Sequence, residues 1–416
     1  MNEFDITAAV RARTEQMIAE RRQFHTHPEL SGEETETAMY VAAELRKMGM
    51  TVTEIPAGGV IGVLNGDRAA PALLLRADMD ALPIQETPRH AVCERTCISQ
   101  VPGKMHACGH DAHMAMLLCA ARILSEQDLR VPLVFVFESG EENNTGFARL
   151  LPFLLAHFDI GACYATHVWP DIPSGTLALC RGAATSGGFG FEICLKGQGG
   201  HGARPDLAAS PIDCFAALHT RLNGLRMTAA PPDQALTYSV GMVHAGNRPN
   251  VIPESLTFSG TVRTFDVDGV GERYRSVMFD TIRKTAESFD CQAEFLRAPK
   301  PVYETFNDEH WRERLLRAAG QLPAVRIADH APWMASETLG FYFRLWPGVL
   351  SFTGVGNPEK GCTVGHHMPD FDLDEDGMPA GAAMAVLAAL EWNREPEPVP
   401  EGYRRETLEQ LLERRL

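Results

Sequence analysis

The sequence predicts an α/β fold: an open twisted sheet flanked by helices, with an inserted βαββαβ unit of ferredoxin-like order. Three observations carry that expectation. A continuous apolar run at 72–77, a second buried strand at 131–137 and a short strand at 162–167 read as strands of one sheet, and helix-period segments separate them. From Phe189 the texture becomes strand, helix, strand, strand, helix, strand. After Pro299 helix and short strand resume and end in an apolar helix at 377–392. The expected division is therefore 1–186 and 299–394 as two parts of one main domain, 187–298 as the insertion, and 395–416 as a proline-rich linker with a terminal helix.

At 416 residues the chain exceeds what one hydrophobic core usually organises, and 45% hydrophobic content suffices for two. A net charge of −16 argues against a nucleic-acid partner. Neither a leader-like amino terminus nor a bilayer-length apolar run is present, so the expectation is a cytoplasmic protein without a membrane partner. The ten cysteines lie mostly in apolar runs, which suits reduced core thiols. Cys93 and Cys97, in a polar loop, read as two loop thiols rather than a redox or zinc pair.

Taken in order, 7–24 and 33–49 carry helical periodicity, the second stopping at Gly49. Strand-like runs follow at 50–55, 60–64 and 72–77, the last ending at Asp78-Met79-Asp80. The stretch 105–113, MHACGHDAH, packs three imidazoles, a thiol and a carboxylate around one glycine and leads into an apolar helix from about 111 to 124. The 131–137 strand runs into Glu141-Glu142, a helix covers 147–157, and a short strand at 162–167 ends on His167. In the insertion, strands at 189–196, 235–244, 255–264 and 291–297 alternate with helices at 209–225 and 269–289. A strand at 348–353 precedes Gly365-His366-His367, and Leu408, Leu411, Leu412 and Leu416 form one face of the terminal helix, packed on its own surface or on a partner subunit.

Strand ends thus deliver Asp78/Asp80, Glu141/Glu142 and His167 to one rim, where open α/β sheets keep their ligands. Cys108, His110, His167, His367 and one of the glutamates form a mixed sulfur, nitrogen and oxygen set suited to zinc or another late transition metal. Singly, each has a plainer reading: a satisfied core histidine, an inert thiol, two solvated acids before a helix. Their joint placement favours a metal. Adjacent glutamates after a strand point in different directions, so one can bind metal while the other faces water. A metal can bring a bound water from a pKa of about 15.7 to about 7, and the second carboxylate can pass its proton to a leaving amine.

Together with RADMDALP, the strand followed by GEE, ATHVWPDIPSG, GQGGHGARPD, RPNVIPES, GTVRT and GHHMPDF, the MHACGHDAH stretch resembles the aminoacylase and carboxypeptidase family of dinuclear metallohydrolases. The nearest branch holds hippurate hydrolases, auxin-amide hydrolases and N-acyl-amino-acid amidohydrolases. The resemblance implies a zinc-peptidase-like fold whose insertion is a lid and dimerisation domain. It also implies two divalent ions (Zn, Mn or Co) ligated by Cys108, His110, Glu142, His167 and His367. Glu141 would be the general base, Asp80 would orient a ligand, and His367 is preferred to His366 because the family's ligand stands two residues before a proline, here Pro369. His201 would polarise the scissile carbonyl, and Asn250 and Arg263 would contact the substrate's acyl oxygen or carboxylate. The sequence departs from this branch at Ser139-Gly140, Asn143-Asn144-Thr145, Pro205-Asp206 and Ser336-Glu337-Thr338, and its Cys93/Cys97 loop is a few residues longer.

The function implied is hydrolysis of the amide C–N bond of a small N-acyl amino acid or aryl amide by a homodimer or higher homo-oligomer. A second reading is hydrolytic deamination of a small, even aromatic, amine on the same site; a third is a non-catalytic metal-binding protein. A spare glutamate and a lid histidine favour an enzyme, because closed structural sites use every position for protein ligands.

Overall fold

Asp78, Glu138 and His167 reach one rim because three neighbouring strands run parallel. The structure, a computed structural model, describes residues 4–89, 92–320, 322 and 325–414. Ala72–Asp78 pairs in parallel with Leu133–Glu138 on one side and with Ile160–Pro173 on the other, and Gly348–Gly356 runs parallel to the far side of Ile160–Pro173. These four strands, buried almost throughout, form the middle of an eight-stranded mixed sheet. Antiparallel Gly59–Leu64 and Thr51–Ile55 extend it at one edge, Thr176–Ala178 and Arg326–Ala328 at the other.

The helix His110–Ser125 is apolar on all sides and buried along nearly its whole length, so it needs cover from more than the sheet. Thr14–Thr26 and Met378–Arg394 pack on it, and their Val, Leu, Met and Ala side chains join those of the sheet in one core. At its start Gly109 takes φ 83°, and a Cβ there would stand 2.3 Å from Val168 Cγ2. Only glycine fits this left-handed, closely packed turn.

By contact the chain forms two compact units. The first comprises the residues up to Ala184, Phe306–Ala331 and Phe341–Leu408; the second Thr185–Thr305, Pro332–Gly340 and the residues from Glu409. The second unit contains an antiparallel sheet in the order Leu236–Ala245, Ser255–Thr264, Gly187–Lys196, Gln292–Arg297, with helices Pro211–Ala229 and Glu272–Glu287 against its own core. That is the βαββαβ order expected. Beyond the expected 187–298, this unit also includes 332–340 and the terminal helix Leu408–Leu412 from Glu409 onward. Leu411 of that helix is buried; Leu416 lies outside the described residues.

Three expected elements differ in form. The first helix is two, Ile6–Arg11 and Thr14–Thr26. The helix expected at 269–289 opens as a π turn, Val267–Gly271, whose N–H groups at Gly269 and Val270 are taken by the Asp266 carboxylate. The short 162–167 strand is fourteen residues long, Ile160–Pro173, so His167 lies within it rather than at its end. Its register explains both the error and the outcome. Pairing with Ala72–Asp78 stops at Arg76 opposite Ala165, two residues before Asp78 and His167, while pairing with Gly348–Gly356 carries the strand on to Pro173. Among the described residues no helix is long and apolar enough to cross a membrane.

Candidate metal centre

Asp80, two residues past its strand, organises the first donors. Its Oδ2 accepts from Ser31 Oγ at 2.6 Å and from the Glu142 backbone N–H at 3.0 Å. Its carbonyl oxygen and Oδ1 lie 2.9 and 3.2 Å from His110 Nδ1. Both are acceptors, so Nδ1 carries the proton and Nε2 is turned the other way. His110 Nε2 is buried and, among the described residues, has no hydrogen-bond partner. Oxygens of Asp78 and Glu142 stand 3.7 and 3.9 Å from it. That is too long for a hydrogen bond but suits donors facing one another across an ion with bonds of about 2 Å.

The other donors meet at the same place. Cys108 Sγ lies 3.6 Å from His167 Nε2 and 3.3 Å from His367 Nε2, which is itself 3.1 Å from Glu142 Oε1. Donor atoms of His110, Glu141 and Glu142 lie within 4.8 Å of one another, as do those of Cys108, His110 and His167. His167 points its Nδ1 at the Val168 carbonyl, 2.8 Å away, and so turns Nε2 toward Cys108. The structure therefore gathers Cys108, His110, Glu141, Glu142, His167 and His367 from four separate segments of the first unit.

Electrostatics here favours a cation. Burial, and then Glu142 and Glu141, push the Cys108 thiol well above its usual range. Burial pulls His110 down, but Asp78 and Asp80 outweigh it and hold the imidazole up at about 10. In other words, carboxylates demand a positive charge at this point even of a buried ring. Burial, with His113 and His366 adjacent, holds His167 well below its usual range, as the neutral imidazole that a metal requires. The set joins a soft thiolate, imidazoles and carboxylate, which fits a late transition ion and not magnesium or calcium.

Two neighbouring histidines, His113 and His366, are otherwise engaged. His113 faces Asp78 Oδ1 with Nδ1 at 2.6 Å and accepts from the Val168 N–H on Nε2 at 2.9 Å, leaving no lone pair for an ion. His366 points Nε2 at the Val168 carbonyl, 3.0 Å away. His106 is buried with neither ring nitrogen hydrogen-bonded among the described residues. Asp111 turns away from the donors, to Arg21 Nε and His25 Nδ1, each at 2.8 Å.

Of the residues expected to meet substrate, His201, Asn250 and Arg263 lie in the second unit. His201 is exposed and accepts the Ala203 N–H on Nδ1 at 3.1 Å; the Asn250 carbonyl takes the Gly202 N–H at 2.9 Å. Arg263 donates to Ser336 Oγ at 2.6 Å, within the same unit.

Sequence reasoning did not single out Glu34. This buried carboxylate accepts the Gly140 N–H at 2.6 Å, beside the glutamate pair, and burial pushes it up to about 7. Its signal was the polar run from His25 to Glu34 between two amphipathic helices.

The fold and this donor set define a hydrolase of the metal-dependent kind. The chain belongs to the peptidase family M20/M25/M40, whose profile matches residues 74–391. It is 33% identical over 383 residues, 90% of this chain and 85% of the relative, to the IAA-amino acid hydrolase ILR1-like 4 of Arabidopsis thaliana. To thermostable carboxypeptidase 2 of Saccharolobus solfataricus it is 31% identical over 390 residues, 91% of this chain and 95% of the relative. A solved Bacillus subtilis structure described as a dinuclear metal-binding peptidase of the M20 family superposes with a TM-score of 0.77 at 28% identity, covering 91% of this chain and 98% of that one.

Proposed function

We propose that this protein hydrolyses the amide C–N bond of a small N-acyl amino acid or aryl amide, with two divalent ions held by Cys108, His110, Glu142, His167 and His367. The observation that carries the reading is the buried His110 Nε2, without a hydrogen bond and facing Glu142 Oε1 across 3.9 Å. Bound ions supply Lewis acidity for the carbonyl and lower the pKa of a water. Glu141 is the general base: it takes the proton of the attacking water and returns it to the leaving amine. Asp80 keeps His110 in the tautomer that offers Nε2. His201 is assigned to polarise the scissile carbonyl, and Asn250 and Arg263 to contact the acyl oxygen or carboxylate.

The inserted unit is assigned the roles of lid and dimerisation domain, and the protein that of a homodimer or higher homo-oligomer. A cytoplasmic location agrees with ten unpaired cysteines and the charge of −16.

Glu141→Ala tests the assignment of the base. Turnover of the best N-acyl amino acid should fall by about 100- to 10,000-fold. Metal content, measured by mass spectrometry, should stay at the wild-type level. The assignment fails if the variant loses its metal, and the amidase reading fails if wild-type protein releases ammonia rather than an amino acid.

A further inference from the structure

The loop from Glu86 to Ser99 supplies no proposed ligand, yet its Arg95 side chain is 0% exposed. A guanidinium so removed from water has to be engaged by its neighbours, and its partners indicate its task. They fall into two sets. On the loop side, Nη2 lies 2.7 Å from Glu86 Oε1, which also faces His25 Nε2 at 2.9 Å, while Glu86 Oε2 takes the Ser99 N–H at 2.6 Å. On the other side, Nη2 donates to the Phe371 carbonyl at 2.6 Å and Nη1 to the Pro369 carbonyl at 3.5 Å, with Asp372 Oδ2 3.5 Å from Nε. Thr87 adds its N–H and hydroxyl to the same Pro369 carbonyl, at 2.9 and 3.1 Å.

Immediately before that fastened segment stands His367. Its φ of 64° is left-handed, a conformation a side chain disfavours, so something must hold it there. Packing does not, because the ring is 48% exposed. On one side its backbone N–H donates to the Ala107 carbonyl at 2.8 Å, beside Cys108. On the other, two and four residues on, come the carbonyls gripped by Arg95.

We propose that Arg95 is a positioning residue for His367: by fastening the Pro369 and Phe371 carbonyls to the buried Glu86, it keeps His367 left-handed with Nε2 turned toward Cys108 and Glu142. The inference rests on reading His367 as a metal ligand. It also gives the Cys93/Cys97 loop a task, since that loop brings Arg95 to the segment that follows His367.

The test is Co2+ titrated into chelator-treated protein, followed by the thiolate-to-cobalt absorption of Cys108, in four variants. Arg95→Met should weaken Co2+ binding about 10- to 100-fold, the usual effect of removing a group that orients a ligand. Arg95→Lys should recover part of the loss, since an ammonium keeps the charge near Glu86 but cannot span both carbonyls. Arg122→Met removes a guanidinium paired with Glu20 and Glu44, twelve residues beyond His110 on the same helix, and should leave the affinity unchanged. If it weakens Co2+ as much as Arg95→Met does, general destabilisation is the cause and the proposal falls. It falls equally if Arg95→Met binds like wild type while His367→Ala is weakened. Should His367→Ala itself bind like wild type, the ligand assignment is what fails, and the positioning role goes with it.

Discussion

Glu34 carries no ligand role, but its carboxylate holds the N–H of Gly140, where the chain turns with φ 64° into Glu141-Glu142. Replacing the Gly140 hydrogen by a Cβ would bring it 2.3 Å from Thr145 Oγ1, so the turn admits only glycine and depends on its few hydrogen bonds. Burial, with Asp80 adding to it, raises Glu34 from 4.5 to about 7. A carboxyl raised in the folded state stabilises the fold below its unfolded pKa, and that contribution is lost as pH climbs through the folded one. Chelator-treated wild type should therefore lose stability between about pH 4.5 and 7 in urea titrations, relative to Glu34→Gln, whose amide oxygen can still accept from Gly140. Parallel pH profiles for the two proteins would sink this account.

At the scale of elements, the turn at Gly109 fixes where the His110–Ser125 helix starts, and with it Cys108 and His110. Gly109→Ala would place a methyl 2.3 Å from Val168 Cγ2 in a left-handed backbone. Strain and overpacking together should cost about 2–4 kcal/mol in urea unfolding and weaken Co2+ uptake. A variant as stable as wild type with full metal affinity would mean that the helix start adapts. This element was legible because an all-apolar run after a polar, glycine-centred cluster has one local reading, and the helix Phe147–His157 and strand Ser255–Thr264 were legible to the residue for similar local reasons. The extent of Ile160–Pro173 was not, since it depends on a partner strand nearly two hundred residues later. The same holds for the supports of the site. His25, Glu86, Arg95 and Asp372 read singly as ordinary polar loop and helix residues, and only the fold puts His25 between Glu86 and Asp111. The proposed donors follow from residue chemistry and motif spacing, whereas the groups that orient them follow from contacts across the chain.

For the molecule as a whole, the centre is a place where folding works against charge. Glu142, Glu141 and Asp78, from a chain of net charge −16, converge beside a thiol whose ionisation they oppose together with burial. Arg76 compensates Asp78 and Glu138, at 2.7 and 2.9 Å. An ion bound to the folded chain answers that surplus, and because the proposed ligands run from Cys108 to His367 the unfolded chain does not present them together. Binding to the folded state alone stabilises by mass action, about 2.7 kcal/mol at a free metal concentration 100 times Kd and about 4.1 at 1,000 times. At roughly 2–4 °C per kcal/mol for a unit of this size, chelation should lower Tm by roughly 5 to 15 °C, and adding Zn2+ or Mn2+ back should restore it in a concentration-dependent way. Tryptophan emission is a suitable probe, since Trp169, Trp311, Trp346 and Trp392 lie in the first unit and only Trp333 in the second. An unchanged Tm after verified metal removal would mean that the carboxylates are neutralised by protons instead. In that case the melting temperature of the metal-free protein should fall on raising the pH, as those protons are lost.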